Sequence, residues 1–215
     1  AVTTLYGNEG SDIITVTVTD DLLNPAHAAL APIGDLEARR LELFGNAGED
    51  TIDARLASMA IRVYGDEDSD LIYGSKGDDV LLGNAGDDII IGDGGSVQDA
   101  TGKELLASEL DQLALITNSD SVFGGVDIIN GGEGNDRIIA GIGGDFVVDV
   151  IGNNVVLGDL GSIGYTSVST ISAGTVTFVR SSSTGGGDDN IEVGNISGNN
   201  IVIGGRGGDD ISTYG

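Results

Sequence analysis

The chain has no cysteine, which removes disulfides, thiolate metal sites and cysteine nucleophiles together. Its one histidine, His27, sits beside Pro25 and among alanines, so a histidine metal centre or a Ser–His–Asp triad has almost nothing to be built from. Tryptophan is absent and aromatics make up 4% of the residues, a composition that suits thin aliphatic layers better than a broad globular core. Positive charge is scarce: nine Lys and Arg stand against 35 Asp and Glu, a net charge of −26. Nucleic acid and anionic membrane surfaces are poor partners for that field, and metal cations are good ones. No apolar run approaches the roughly 18 residues of a membrane-spanning helix, so no membrane insertion is expected.

What the chain does have is glycine, 37 residues of it against two prolines, and no collagen triplet, so the glycines punctuate turns. From Gly65 to Ile91 they punctuate three nine-residue units in unbroken register: GDEDSDLIY, GSKGDDVLL and GNAGDDIII. Each unit carries aspartate in sixth place and an aliphatic residue, Ile72, Leu81 or Ile90, in eighth. A fixed short period marks a solenoid, in which each unit stacks on its neighbours. Further units begin at residues 7, 45, 122, 131, 140, 149, 184, 195 and 204. Taken in order, the sixth places are Asp12, Asp50, Asp70, Asp79, Asp88, Asp127, Asp136, Asp145, Asn154, Asp189, Asn200 and Asp209. The fourth place is glycine except where Asp68 stands.

These units divide one continuous solenoid into an irregular section over 1–64 with an insertion at 20–44, repeat blocks at 65–95, 122–159 and 184–215, and excursions at 96–121 and 160–183. The insertion reads as a short helix or an edge loop, and ITVTVTD before it alternates as a strand does. In the first excursion Thr101 and Glu104 have capping-box spacing, which argues for a helix, while LALIT argues for a strand. The second is rich in β-branched residues and reads as a hairpin about Ala173 and Gly174. A slower repeat overlies the fast one: IIGDGGSV at 90–97 is echoed by VLGDLGSI at 156–163. If the two excursions are equivalent, the helix reading of the first loses ground.

The central block carries Asp66, Glu67, Asp68, Asp70, Asp78, Asp79, Asp87 and Asp88 against Lys76 alone. Carboxylates that return to the same edge of each coil repel one another at any plausible dielectric, so a cation is expected between them, and without cations the block should fray or unfold. The bland alternative is that aspartates cap turns through their own backbone, most of all Asp12, Asp50 and Asp189, which have no adjoining unit in phase. Other chemistry finds less support. Asp66, Asp68 and Asp70 have EF-hand spacing, but Leu71 and Gly77 stand where that loop needs glycine and glutamate. The T-x-T face of Thr15, Thr17 and Thr19 is confined to one strand. Asn195 opens a glycosylation pattern only. Neighbours such as Asp87 and Asp88 alternate faces and do not converge on a substrate, so acid–base catalysis is not expected.

The units closely resemble the calcium-binding nonapeptide G-G-x-G-x-D-x-U-x of the RTX (repeats-in-toxin) family, and GGEGNDRII at 131–139 matches it in full. The resemblance implies an all-β fold, a right-handed parallel β-helix or β-roll with two units per coil, interrupted by β-hairpin excursions and at most a short helix. It implies several Ca²⁺ ions between turns of successive coils, held by backbone carbonyls and by Asp12, Asp50, Asp68, Asp70, Asp79, Asp88, Asp127, Asp136, Asp145, Asn154, Asp189 and Asp209. Residues eighteen apart should then share a row: Asp70 with Asp88, Asp127 with Asp145, and Asp136 with Asn154, the last site weaker or empty for want of a charge. Asp79 should lack a mate, because the phase breaks before residue 97. The two-level repeat resembles large exported bacterial repeat proteins such as adhesins, surface-layer components and matrix fibres. That implies a non-enzymatic, calcium-stiffened structural or adhesive protein, extracellular or at the cell surface, with calcium, copies of itself and surface or matrix glycans as partners. The alternatives are a homopolymeric filament subunit and a secretion and folding module of a larger toxin or hydrolase. The two ends of the chain suggest an excerpt of something longer or a subunit of an end-to-end polymer.

Overall fold

The structure, a computed structural model, describes residues 3–16, 41–119, 122, 124–166, 175–194 and 198–214. Over these the chain winds as a solenoid whose coils alternate between two parallel sheets. The longer sheet takes β1 (Thr3–Glu9), β3 (Leu41–Ala47), β5 (Ile61–Glu67), β7 (Val80–Ala85), β11 (Ile128–Glu133), β13 (Phe146–Asp149), β17 (Asn190–Gly194) and β19 (Asp210–Tyr214). The shorter takes β2 (Ile13–Thr15), β4 (Thr51–Asp53), β6 (Leu71–Tyr73), β8 (Ile89–Ile91), β12 (Arg137–Gly141), β14 (Val155–Asp159) and β18 (Ile201–Ile203). Strand follows strand one coil on, which is the two-unit coil that the repeat implied.

The eighth place explains the interior. Side chains alternate across a strand, so a two-residue offset from the corner aspartate points inward. In the short sheet Ile14, Ile52, Ile72, Ile90, Ile138, Val156 and Val202 form one column in register. In the long sheet Val63, Leu81, Ile129, Val147 and Ile191 form the facing column, and both belong to one core. Each fully buried aliphatic side chain contributes about 1.5–3 kcal/mol.

The two sheets differ on their outer faces. β3 and β5 alternate buried with half-buried residues, whereas β6, β8, β12 and β14 are buried at every position. The long sheet turns its outer face to solvent and carries there the stacked rings of Tyr6, Phe44 and Tyr64, with centroids 5.1 and 4.5 Å apart. The short sheet is covered by a four-stranded antiparallel sheet made from both excursions: β9 (Ser96–Gln98), β10 (Leu115–Asn118), β15 (Gly161–Thr166) and β16 (Thr175–Ser181). Leu71, Ile89, Ile91, Ile139 and Leu157 pack there against Val97, Leu113, Ile116 and Ile163 as a second core. The apolar triplets LIY, III and VVL are the sequence trace of this double burial, just as alternation is the trace of a half-exposed strand.

Some boundaries differ from the sequence reading. Leu41–Phe44 belong to β3 and not to the insertion, because LELF alternates like any other coil strand. Thr101 caps no helix: its N–H and hydroxyl bond Asp99 in a local turn, at 2.8 and 2.7 Å. The only helical turn described in that excursion is a 3₁₀ segment, Ala107–Gln112, where the carboxylate of Glu109 accepts the Leu106 N–H at 3.3 Å. The hairpin apex at Ala173 and Gly174, the remainder of the insertion, His27 and Asn195 lie outside the described residues.

At the corner that leads from the long sheet to the short one, the second place turns left-handed, with Asn8, Asn46, Asp66 and Asn84 at φ of 88°, 77°, 81° and 77°. Asn and Asp tolerate that region better than other non-glycine residues. Two places later Gly86, at φ 146°, lies where a side chain would strike the Asp68 backbone of the coil before it, so only glycine fits.

Candidate metal centres at the corners

The sixth-place residues stack into two ladders, one along each corner. At the first corner each backbone N–H donates to the side-chain Oδ1 of the equivalent residue one coil on: Asp12 to Asp50 at 2.6 Å, Asp50 to Asp70, Asp70 to Asp88 and Asp88 to Asp136 at 2.8 Å, Asp136 to Asn154 at 2.9 Å and Asn154 to Asn200 at 2.8 Å. At the second corner Ile61 donates to Asp79, Asp79 to Asp127, Asp127 to Asp145 and Asp145 to Asp189, all at 2.9 Å, and Asp189 to Asp209 at 3.2 Å.

Several expectations are corrected by these ladders. Asp79 has a mate: Asp127, 48 residues on but one coil away, because β7 and β11 pair directly and the excursion loops out between them. Asp12, Asp50 and Asp189 stand in the ladders and not in isolated turns. Asp68 does not join them. It is exposed at the fourth place, in a left-handed conformation at φ 74°, and no sixth-place group bonds its carboxylate.

One oxygen of each ladder aspartate after Asp12 is thereby used. The other, Oδ2, is buried and has no hydrogen-bond partner in Asp12, Asp50, Asp70, Asp88 and Asp136 of the first ladder and in Asp127, Asp145 and Asp189 of the second. Asp79 is the exception, since Ser75 donates its N–H to Oδ2 at 2.6 Å and its hydroxyl to Oδ1 at 2.9 Å. Among the described residues Arg55 pairs with Asp53 and Glu104, and Lys103 with Glu109, and none of these pairs involves a ladder carboxylate. A buried carboxylate with neither partner nor counter-charge costs several kcal/mol. Burial accordingly pushes Asp70 and Asp127 up to about 9, Asp88 to about 8, and Asp136, Asp145 and Asp189 to about 7. The carboxylates of adjacent layers add to the rise, as Asp136 does for Asp88 and Asp79 for Asp127.

The orphaned oxygens share their surroundings. A methyl group placed on Gly45 would stand 2.6 Å from Asp50 Oδ2 and 2.5 Å from the carbonyl oxygen of Gly65 in the next coil. Gly65, Gly83 and, at the second corner, Gly92 and Gly158 are flanked in the same way by a carboxylate of their own unit or coil and a carbonyl one coil on. The first-place glycine thus leaves a cradle between a carboxylate and a carbonyl. Among the described residues no three acidic or histidine side chains converge into a cage, so backbone oxygens must complete any coordination shell. Hard, oxygen-only ligands drawn from carboxylates and carbonyls at flexible geometry are what calcium takes, and the donors present fit it.

Among the described residues, three buried carboxylates fall outside the consensus places: Asp93, Asp149 and Asp159. Asp93 and Asp159 open the two excursions and are equivalent. Asp93 accepts the N–H groups of Gly125 at 3.2 Å and Ile142 at 2.8 Å. Asp159 accepts those of Gly187 at 2.9 Å and Arg206. Each therefore ties the point where its excursion departs to the point where the chain returns and to the coil after. The echo of GD-x-G-S in the sequence is the trace of these clamps.

Fold and site together define a class, the parallel β-solenoid with carboxylate-lined corners. The pattern of the RTX calcium-binding nonapeptide repeat matches residues 4–24, 64–97 and 120–148, in four copies. Over these segments the chain carries RTX calcium-binding nonapeptide repeats. No curated protein and no solved structure matches it. Among the described residues no helix is long and apolar enough to cross a membrane.

Proposed function

We propose that calcium ions lie at both corners of the solenoid, between successive coils, with the free Oδ2 atoms of Asp12, Asp50, Asp70, Asp88, Asp136, Asp127, Asp145 and Asp189 among their ligands, and that the protein is an extracellular structural or adhesive rod. The observation that carries this is the row of buried, unpartnered carboxylate oxygens. From Asp50 onward each of these aspartates gives one oxygen to an N–H of the coil before it and holds the other for a cation. When bound, the ion neutralises adjacent layers and links carboxylate to carbonyl across coils, so calcium supplies cohesion that a thin aliphatic core alone does not. A chain of net charge −26 repels itself where calcium is scarce and closes where it is abundant, which suits folding after export. The role is mechanical and not catalytic, with surface or matrix glycans and further copies of the chain as partners. Nothing in the described residues favours a homopolymeric filament or a secretion module of a larger toxin or hydrolase over this reading.

Circular dichroism during a calcium titration tests it. In chelator the melting point drops and the β signal falls. It returns cooperatively at free calcium on the order of 10⁻⁴–10⁻³ M, the range of extracellular modules, and equal magnesium does not restore it, because magnesium demands octahedral geometry and keeps its waters. A full β signal and an unchanged melting point in excess chelator would refute the proposal.

A further inference from the structure

In the unit that begins at residue 149, two consensus places change together. The sixth, aspartate in most units, is Asn154, and the first, usually glycine, is Asp149. Asp149 ends β13 and stands one coil on from Gly131, since β11 and β13 pair with Asn130 opposite Val148. A methyl group on Gly131 would lie 2.5 Å from Asp136 Oδ2 and 2.8 Å from Asp149 Oδ2. In the layer before it, the cradle at Gly83 is flanked by Asp88 Oδ2 and the carbonyl of Gly131. At Gly131 a second carboxylate therefore stands where the other layers present a carbonyl.

Both oxygens are buried and unpartnered, and both residues are fully excluded from solvent. Asp149 is held in this orientation by Asn154, whose Nδ2 donates to Asp149 Oδ1 at 2.7 Å while its Oδ1 accepts the Asp136 N–H at 2.9 Å. The nearby Arg137 gives its guanidinium to the Tyr165 hydroxyl at 2.7 Å and to the carbonyls of Asn135, Asp136 and Asn153 at 2.9–3.0 Å. It forms no ion pair with either carboxylate. Asn154 keeps the ladder bond, orients Asp149, and leaves the negative charge to it.

We propose that Asp136 and Asp149 hold a hard divalent cation of the calcium class between their Oδ2 atoms, an off-consensus site that replaces the charge lost at Asn154. The proposal rests on the calcium reading of the regular corners and runs against the expectation that the Asp136–Asn154 layer is weak or empty. The rival is protonation, in which one shared proton leaves the pair a monoanion and two leave it neutral, and counting ions separates the two.

Equilibrium dialysis of the full chain against radioactive calcium, with folding checked by circular dichroism, should show Asp149→Asn and Asp149→Gly each binding one ion fewer than wild type. The double variant Asp149→Gly/Asn154→Asp, which rebuilds the consensus, should regain that ion. An unchanged ion count in folded Asp149→Asn overturns the proposal and leaves the regular sites intact. Binding of no calcium by the wild type overturns the reading of every corner and this inference with it. Should the single variants fail to fold, crystals of the wild type in calcium decide. A cation between the two Oδ2 atoms supports the site, and none there while the Asp70–Asp88 layer is filled rejects it.

Discussion

The first corner contains two regions with the same hydrogen bonds and different charges. From Asp12 to Asp136 the ladder is carboxylate, and at Asn154 and Asn200 it is amide. Yet the rungs onto Asn154 and Asn200, at 2.9 and 2.8 Å, match those onto Asp70, Asp88 and Asp136 at 2.8 Å. An amide oxygen accepts an N–H as a carboxylate does, so the ladder bond does not account for aspartate at this place. What asparagine lacks is the second anionic oxygen, and it is that oxygen which stands buried and unpartnered wherever aspartate occurs at this corner. On the proposed reading, stacking of coils and binding of cations are separate duties of one side chain, Oδ1 serving the first and Oδ2 the second.

The widest test of this separation is pH in the absence of metal. Asp70 and Asp127 titrate near 9, Asp88 near 8 and Asp136 near 7 in the folded state, against 3.8 for an ordinary aspartate. A carboxyl group whose pKa is raised on folding stabilises the fold fully below its unfolded pKa, and that contribution is lost as pH rises through the folded value. Metal-free protein should therefore be most compact near pH 4 and lose stability steadily between about pH 4 and 9, as followed by thermal melts in chelator. With calcium the sign reverses, because the ion competes with the protons. Its apparent affinity should rise with pH across the same window, in calorimetric titrations at pH 5 and 8. A metal-free melting point that climbs from pH 5 to 8 would contradict the assignment of buried, uncompensated carboxylates.

At a single layer, Asp88→Asn and Asp88→Ala separate the two duties. The amide keeps the bond from Asp70 N–H, whereas alanine leaves that buried donor unpaired at a cost of about 1–3 kcal/mol. In saturating calcium both variants lose an ion; at a hundredfold excess over its dissociation constant that ion stabilises the fold by about 2.7 kcal/mol. In chelator at pH 8 they should part: Asp88→Asn melts above wild type because a buried charge is gone, and Asp88→Ala does not. Identical melting curves for the two variants under both conditions would show that the ladder bond contributes nothing.

Much of this was legible in the residues, and what was not has a common cause. Gly83, Asp88 and Ile90 announce cradle, ladder and core by their spacing alone, since the first, sixth and eighth places of a nine-residue unit return to the same point of each coil. Spacing fails wherever an excursion intervenes. Asp79 and Asp127 are neighbours in space at a separation of 48 residues, a number that reflects the length of a loop-out and not the pitch of the solenoid. The same miscount hid the company of Asp12 and Asp50. Asp93 and Asp159 were visible as an echo, but their role depends on which N–H groups lie opposite, and pairing determines that. Asp149 in first place carries no signal by itself, and only the structure links it to the change at Asn154 five residues on.

The smallest effect is expected on the exposed outer ladder that runs beside the charged one. In fifth place Asn135 donates its N–H to Asp87 Oδ1 at 2.8 Å, and Asn153 donates to Asn135 Oδ1 and Asn199 to Asn153 Oδ1, each at 2.9 Å. These side chains repeat at the coil period as the sixth-place residues do, but Asn153 is exposed to solvent, so water replaces a lost partner. Asn153→Ala should cost about 0.5–1 kcal/mol, equally at all calcium concentrations that support the fold, with an unchanged ion count. A calcium-dependent penalty here, read from melting points at two free-calcium levels, would move the metal outward from the sixth place to the fifth. Periodicity alone does not distinguish the two ladders; burial does, and it is burial that leaves one of them with unpartnered carboxylate oxygens.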